Sequence, residues 1–238
     1  MMSVKTPKVA VVTGGAQGIG QAICNYFTAQ GVQVCCIDVQ DNPYFVGDIA
    51  DETVLRAFAD RVIADYGRVD YLINNACLSR GGLENCSYDD FNYVLKVGVS
   101  APFLLTQLFT PFFSAQASIV NISSTRSFMS QANTESYSAA KGAISALTHA
   151  MAISLAGKVR VNSISPGWID TTGDELTGAD ASQHPVGRVG HTDDIVNAVT
   201  FLCDPKSSFI TGQDIVVDGG MAKQMIFHQD GGWHFQGK

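Results

Sequence analysis

The sequence predicts a doubly wound, seven-stranded parallel α/β sheet with helices on both faces. Two observations carry this: short β-branched runs recur along the 238 residues, and helical patterns with recognisable ends alternate with them. Parallel neighbours need crossover connections, and helices packed on either face supply them. A third observation is the lack of any repeat, low-complexity tract or linker, which places residues 1–238 in a single domain.

The first strand is expected at 9–12. There Val9, Ala10, Val11 and Val12 form an unbroken apolar run bounded by Lys8 and by Thr13-Gly14, the pattern of a strand covered on both faces. Similar runs place strands at 33–37, 44–46, 69–73, 118–122, 159–164 and 214–217. A helix at 19–30 stops at Gly31, and a second at 51–66 has Asp51 as its N-cap and Gly67 as its C-cap. Further helices start at Ser87, Ser136 and Thr192. The stretch 171–191, rich in Gly, Asp and Thr and poor in apolar periodicity, reads as a loop, with 171–184 a short lid. The tail after Gly220 carries Met225, Ile226, Phe227, Trp233 and Phe235, which is too apolar for a free end. It is expected to dock on this subunit or on a neighbour.

Composition narrows the function. With 46% hydrophobic and 16% charged residues, and no run near the roughly 18 apolar residues of a spanning helix, the chain reads as globular, with no membrane partner. A net charge of −7, from 15 Lys+Arg against 22 Asp+Glu, lacks the basic footprint of a nucleic-acid binder. Residues 1–8 lead into the first strand without a signal-peptide core, pointing to a cytoplasmic location. The six cysteines form no C-x-x-C, and adjacent Cys35 and Cys36 would face opposite sides of a strand, so they read as reduced, mostly buried thiols. His191, His228 and His234 share no ligand spacing with nearby acids, and no metal is expected. His149, placed mid-helix, reads as an interface histidine.

The segment Thr13-Gly14-Gly15-Ala16-Gln17-Gly18-Ile19-Gly20 follows the first strand and opens the first helix. Glycines there let backbone N–H groups and a helix N-terminus approach a pyrophosphate. Asp38 ends the second strand, where a carboxylate can accept hydrogen bonds from the adenosine ribose hydroxyls. It would repel a 2′-phosphate, and neither Gln17 nor Val39 offers a compensating cation, so NAD is expected in preference to NADP.

Tyr137 and Lys141 stand at i and i+4 of a predicted helix whose apolar positions include Ala140, Ile144, Leu147, Met151 and Leu155, so phenol and ammonium share one face. A phenol titrates near 10 unperturbed, and adjacent positive charge favours the phenolate that proton abstraction requires.

The spacing T-G-x-x-x-G-x-G, taken with these residues, resembles the short-chain dehydrogenase/reductase family over nearly the whole chain. The resemblance implies a Rossmann-like fold and a dinucleotide held by Gly14, Gln17, Gly18, Ile19, Gly20 and Asp38. It adds Asp48 and Ile49 at the adenine, Asn74 and Ala76 from an N-N-A-G-like motif, and Pro166, Gly167, Ile169 and Thr171 at the nicotinamide, with Tyr137 and Lys141 completing the site. It also implies that Ser124 polarises the substrate oxygen while Tyr137 acts as general acid/base and Lys141 binds the nicotinamide ribose and lowers the phenol pKa. Ser123 is expected to face the other way. Two departures stand out: Cys77 replaces the motif's glycine, and Val97-Gly98-Val99 stands where V-N-L is usual, removing an asparagine of the proton relay. Gly98 is expected to keep the local helix distortion. Arg126 is read as a ligand for a substrate carboxylate or other acidic group, as a partner of Glu135 or as a solvated loop position, while Phe128, Trp168 and His184 line the substrate space or pack loops.

The function implied is an NAD(H)-dependent oxidoreductase interconverting a secondary alcohol and a ketone, assembled as a homodimer or homotetramer. The alternative is an NAD-sensing binding protein without turnover. An extended-branch sugar-nucleotide epimerase would need a larger C-terminal region.

Overall fold

The computed structural model describes residues 7–236. The reading of 1–6 as free of a leader, and the last two residues of the tail, lie outside the described residues. The seven expected strands are all present: β1 Val9–Thr13, β2 Gln33–Asp38, β3 Phe45–Val46, β4 Val69–Asn74, β5 Phe113–Ile122, β6 Arg160–Pro166 and β9 Asp214–Val217. They form one parallel sheet in the order β3-β2-β1-β4-β5-β6-β9. The order reverses at β1 and β4, so a crevice opens above the carboxyl ends of these two strands.

The period of two along each strand sorts its side chains between two helical layers. Val9, Val11, Cys35, Ile37, Leu72, Ile119 and Val161 meet α2 (Glu52–Tyr66), α4 (Ala101–Phe109) and α5 (Glu135–Ser154). Ala10, Val12, Cys36, Ile73, Val120 and Ile164 meet α1 (Gly18–Ala29) and α7 (Thr192–Cys203). Adjacent Cys35 and Cys36 do lie on opposite faces, and all six cysteines are free thiols. Phe58 and Phe109 are fully buried, and each such side chain contributes roughly 1.5–3 kcal/mol by leaving water.

Helix ends follow their local chemistry. The Asp51 carboxylate accepts from the Thr53 N–H at 2.7 Å, and Gly67 closes α2 in the left-handed conformation at φ 65°. Ser87 caps α3 (Tyr88–Leu95) through the Asp90 N–H. From there one helix runs through a π-helical turn at Lys96–Ser100 into α4. The stretch Tyr88–Phe112 is long and apolar enough by itself to cross a membrane. Here it serves as a core helix: Val94, Val97, Ala101, Leu105 and Phe109 are buried, and Asp89 and Asp90 sit in its first turn.

Three differences from expectation have physical reasons. β5 begins at Phe113, and its pairing with β4 shifts register between Val69 and Tyr71; the exposed Gln116 sits at φ 74°, a break that hides the strand's first half from periodicity. Within 171–191 lie β8 (Gly190–His191), paired with β7 (Ile169–Asp170), and the four-residue α6 (Ala179–Ser182), all too short to leave a pattern. The tail beyond Lys223 leaves its apolar side chains largely exposed on the single chain: Met225, Phe227 and Phe235 are 77%, 65% and 65% exposed.

The 171–191 stretch is tied to α7 by Arg188, whose guanidinium meets the Asp194 carboxylate at 2.7 and 2.8 Å. That hydrogen bond, aided by the His191 N–H and opposed by partial burial, lowers the Asp194 carboxyl to about 2. The pair's contribution is present above the ordinary carboxylate value and is lost as pH falls towards 2. Because Arg188 is half exposed, solvent screening keeps the pair's contribution small. Asp194→Asn should lower the urea midpoint accordingly at pH 7 and by less at pH 2.5; an equal loss at both would refute the assignment.

Candidate active site

β1 ends at Thr13, where the backbone turns sharply into α1. Gly20 and Gly14 make this turn possible. A Cβ at Gly20 would stand 1.9 Å from the Gly14 carbonyl oxygen, and Gly14, at φ 68°, would press a Cβ to 2.9 Å from Asn75 Nδ2. Gln17 is the N-cap of α1 but makes no side-chain cap, and the first turn has no acid, so its free N–H groups and positive dipole end face the crevice. These features fit a dinucleotide pyrophosphate. The Asp38 carboxylate accepts from the Ala16 N–H and the Gln40 N–H, both at 3.0 Å, and fixes the far side of the turn.

The crevice holds a cavity of about 820 Å³. Ile19, Ser124, Tyr137, Lys141, Pro166, Gly167 and Ile169 all line it, which brings together residues from four separated parts of the chain. Thr171 lies against Gly18 at the edge of the turn.

Ser124 ends the run after β5 and caps the short turn Thr125–Ser127: its Oγ accepts from the Arg126 N–H at 3.1 Å, leaving its own O–H free to donate. Ser123 also lines the cavity, but its hydroxyl is bonded to the Lys141 carbonyl and to Ser145 Oγ. Lys141 is only 4% exposed. Its Nζ donates to the Ile122 carbonyl at 2.7 Å and lies 5.3 Å from the centroid of the Tyr137 ring. The i, i+4 spacing thus sets an ammonium over the phenol on the face of α5 that meets the cavity.

Other sequence-predicted residues take different places. Asn74 is buried, and its amide donates to Asn121 Oδ1; Asn75, singled out for no role by the sequence, lines the cavity instead. Asn75 Nδ2 donates to the Thr13 and Gly14 carbonyls at 3.0 Å, and Thr13 Oγ1 accepts from the Asn75 and Ala76 N–H groups, so Thr13 and Asn75 lock the β1 turn to the end of β4. Asp48 and Ile49 line a second cavity beside α2 and α4, and the Asp48 carboxylate accepts from Tyr93 Oη at 2.9 Å. Glu135 does not pair with Arg126: its carboxylate accepts from the Leu83 N–H. Trp168 lines the cavity, His184 is buried with Nδ1 on the Asp180 carbonyl, Phe128 is exposed, and so is His149. Met129, Gln131, Met221 and Ala222 complete the wall. They come from loops and a short turn, whose neighbours no periodic pattern reveals. Among the described residues no three His, Cys, Asp or Glu side chains gather as a metal site.

Both departures lie in this region and touch each other. Cys77 lines the cavity, and a Cβ built on Gly98 would stand 3.2 Å from its sulfur and 3.0 Å from Ala140 Cβ. The π-helical turn survives around Gly98.

Residues 14–222 match the profile of a family described as enoyl-(acyl carrier protein) reductase. The chain is 36% identical to an uncharacterised oxidoreductase of Thermotoga maritima, covering 93% of this chain and 98% of the relative. It is 31% identical to the 3-oxoacyl-[acyl-carrier-protein] reductase FabG of the same organism, over 90% and 97%. Among solved structures, an apo SCOR enzyme from Clostridium thermocellum superposes with a TM-score of 0.89 at 41% identity, covering 98% of this chain and 99% of that one. The ligand-free aldohexose dehydrogenase of Thermoplasma acidophilum does so with a TM-score of 0.87 at 28% identity, over 93% and 96%. A Rossmann-like sheet, a glycine-rich dinucleotide turn and these relatives agree, and the chain belongs to the short-chain dehydrogenase/reductase family of nicotinamide-dependent oxidoreductases.

Proposed function

We propose that this protein is an NAD(H)-dependent oxidoreductase that interconverts a secondary alcohol and a ketone. The observation that carries this is the convergence of Ser124, Tyr137 and Lys141 on one cavity that opens beside the glycine-rich turn. The bound dinucleotide supplies the hydride acceptor or donor. Ser124 Oγ, already accepting from the Arg126 N–H, donates its hydrogen bond to the substrate oxygen and orients it. In the oxidative direction Tyr137 Oη takes the hydroxyl proton as the carbon is oxidised; in the reverse direction it returns that proton to the carbonyl oxygen. Lys141, anchored on the Ile122 carbonyl, keeps a positive charge beside the phenol and presents its remaining N–H groups to the nicotinamide ribose. Pro166, Gly167, Ile169 and Thr171 form the wall for the carboxamide, Ala76 stands beside the turn through its N–H on Thr13 Oγ1, Asn74 acts from behind through its buried bond to Asn121, and Asp48 and Ile49, on the second cavity, take the adenine end.

The choice of NAD rests on Asp38, held by two backbone N–H groups at the end of β2 next to an exposed Val39. A fixed carboxylate accepts ribose hydroxyls and repels a 2′-phosphate. Asp38→Ser should shift the ratio of kcat/KM for NAD over NADP by about tenfold towards NADP, and an unmoved ratio would refute this role. The assay is absorbance of the reduced dinucleotide across a panel of alcohols and ketones. Turnover with wild type supports the reading; dinucleotide binding without turnover of any compound favours the sensor alternative.

The chain acts as one domain over 1–238, in the cytoplasm, where its six free thiols suit a reducing compartment. It assembles as a homodimer or homotetramer, a reading supported by Phe103 on α4, Ile153 on α5 and the apolar tail, all exposed on the single chain; mass in solution tests it.

A further inference from the structure

We infer that the substrate carries a carboxylate, held by Arg126 while Ser124 and Tyr137 address its hydroxyl or oxo carbon. The inference rests on the oxidoreductase reading above and names its substrate class.

Charge is scarce on the cavity wall. Two cations line it, Lys141 and Arg126, together with one acid, Asp218. Lys141 is committed to the Ile122 carbonyl and the phenol. Both oxygens of Asp218 are taken by the Gly220 and Ala222 N–H groups at 2.9 and 2.7 Å. Arg126 is different. Its fork offers five N–H donors, and among the described residues the side chain makes one hydrogen bond, from Nη2 to the neutral Gln131 Oε1. No carboxylate among the described residues pairs with it: the nearest candidate in sequence, Glu135, is turned to the Leu83 N–H. A full positive charge with most of its donors unused thus stands on the wall of the cavity that holds the reacting groups.

Its reach is bounded relative to the reacting oxygen. Ser124 Oγ accepts from the Arg126 backbone N–H, so the two residues share one short turn and the guanidinium can reach no farther from Ser124 than its own side chain allows. The cofactor's phosphates, which the turn after β1 fits, lie away from it: Arg126 follows β5, two positions from β1 in the sheet order, roughly 10 Å at about 4.8 Å per strand. A planar fork matches a carboxylate with two parallel hydrogen bonds. Ser130, Gln131 and Thr134 add neutral polar groups on the same wall, and Met129 and Trp168 give an apolar surface for a short carbon skeleton.

The test compares straight-chain hydroxy acids, with the hydroxyl two to four carbons from the carboxylate, against their methyl esters, reading the acid-to-ester ratio of kcat/KM. Wild type should favour one or more acids. Arg126→Gln should lower that ratio about ten- to hundredfold, mainly through KM, the scale of hydrogen bonds to a charged group. Arg126→Lys, keeping the charge without the fork, should recover part of it. Equal turnover of acids and esters by wild type, or equal losses for both in Arg126→Gln, overturns the carboxylate inference and leaves the oxidoreductase reading standing. No turnover of any compound with either dinucleotide overturns both.

Discussion

Tyr137→Phe is expected to lower kcat by about 10²- to 10⁴-fold, the range over which a positioned general acid/base acts. The substitution removes Oη alone. The ring remains under the Lys141 ammonium, now 5.3 Å from its centroid, and Lys141 keeps its bond to the Ile122 carbonyl, so neither α5 nor the cavity wall loses a packing partner. Melting temperature and the dissociation constant of the dinucleotide, read by fluorescence, should therefore move little while turnover collapses. That split separates a lost proton carrier from a lost fold. A kcat within about tenfold of wild type would remove Tyr137 from the chemistry.

How far the sequence foretells this site depends on where each residue sits. The strands are legible because a sheet covered on both faces demands apolar runs: Val9 to Val12 is unbroken, and Ile119 to Ile122 is interrupted by Asn121 alone, whose buried amide bonds to Asn74 and Thr148. Asp51 and Gly67 are legible because helix ends require specific partners and a left-handed residue. Tyr137 and Lys141 are legible because one helical period carries both. Residues whose role depends on a partner far along the chain are not. Nothing local in Asn74-Asn75 says which amide turns inward to Asn121 and which staples the β1 turn; the neighbouring strand decides. The fate of Glu135 depends on the Gly82–Leu83 backbone meeting the start of α5. The tail reads as buried by composition, yet its aromatic side chains stay largely exposed on the single chain, because apolarity specifies burial without specifying against what.

Restoring the asparagine usual at position 98 is expected to destabilise the protein rather than repair a relay. A Cβ at Gly98 alone would lie 3.0 Å from Ala140 Cβ and 3.2 Å from Cys77 Sγ, and an amide would demand still more room within a buried π-helical turn. Overpacking of this kind costs about 1–3 kcal/mol, or roughly 2–4 °C of melting temperature per kcal/mol for a chain of this size. Cys77 is itself a departure, a thiol where the motif usually has glycine, and the two departures meet at one point in space. The larger side chain sits at 77 and the smaller at 98, so the pair reads as a single exchange of volume. Cys77→Gly/Gly98→Asn should then recover part of the melting temperature lost by Gly98→Asn, giving a coupling of about 0.5 kcal/mol or more in a double-mutant cycle. Additive effects would show that the sulfur yields freely and that the two positions changed independently. If the coupling is found, the rate and pH profile of the double variant, compared with wild type, report what the asparagine adds to proton movement behind Lys141, free of the steric penalty that obscures it in the single variant.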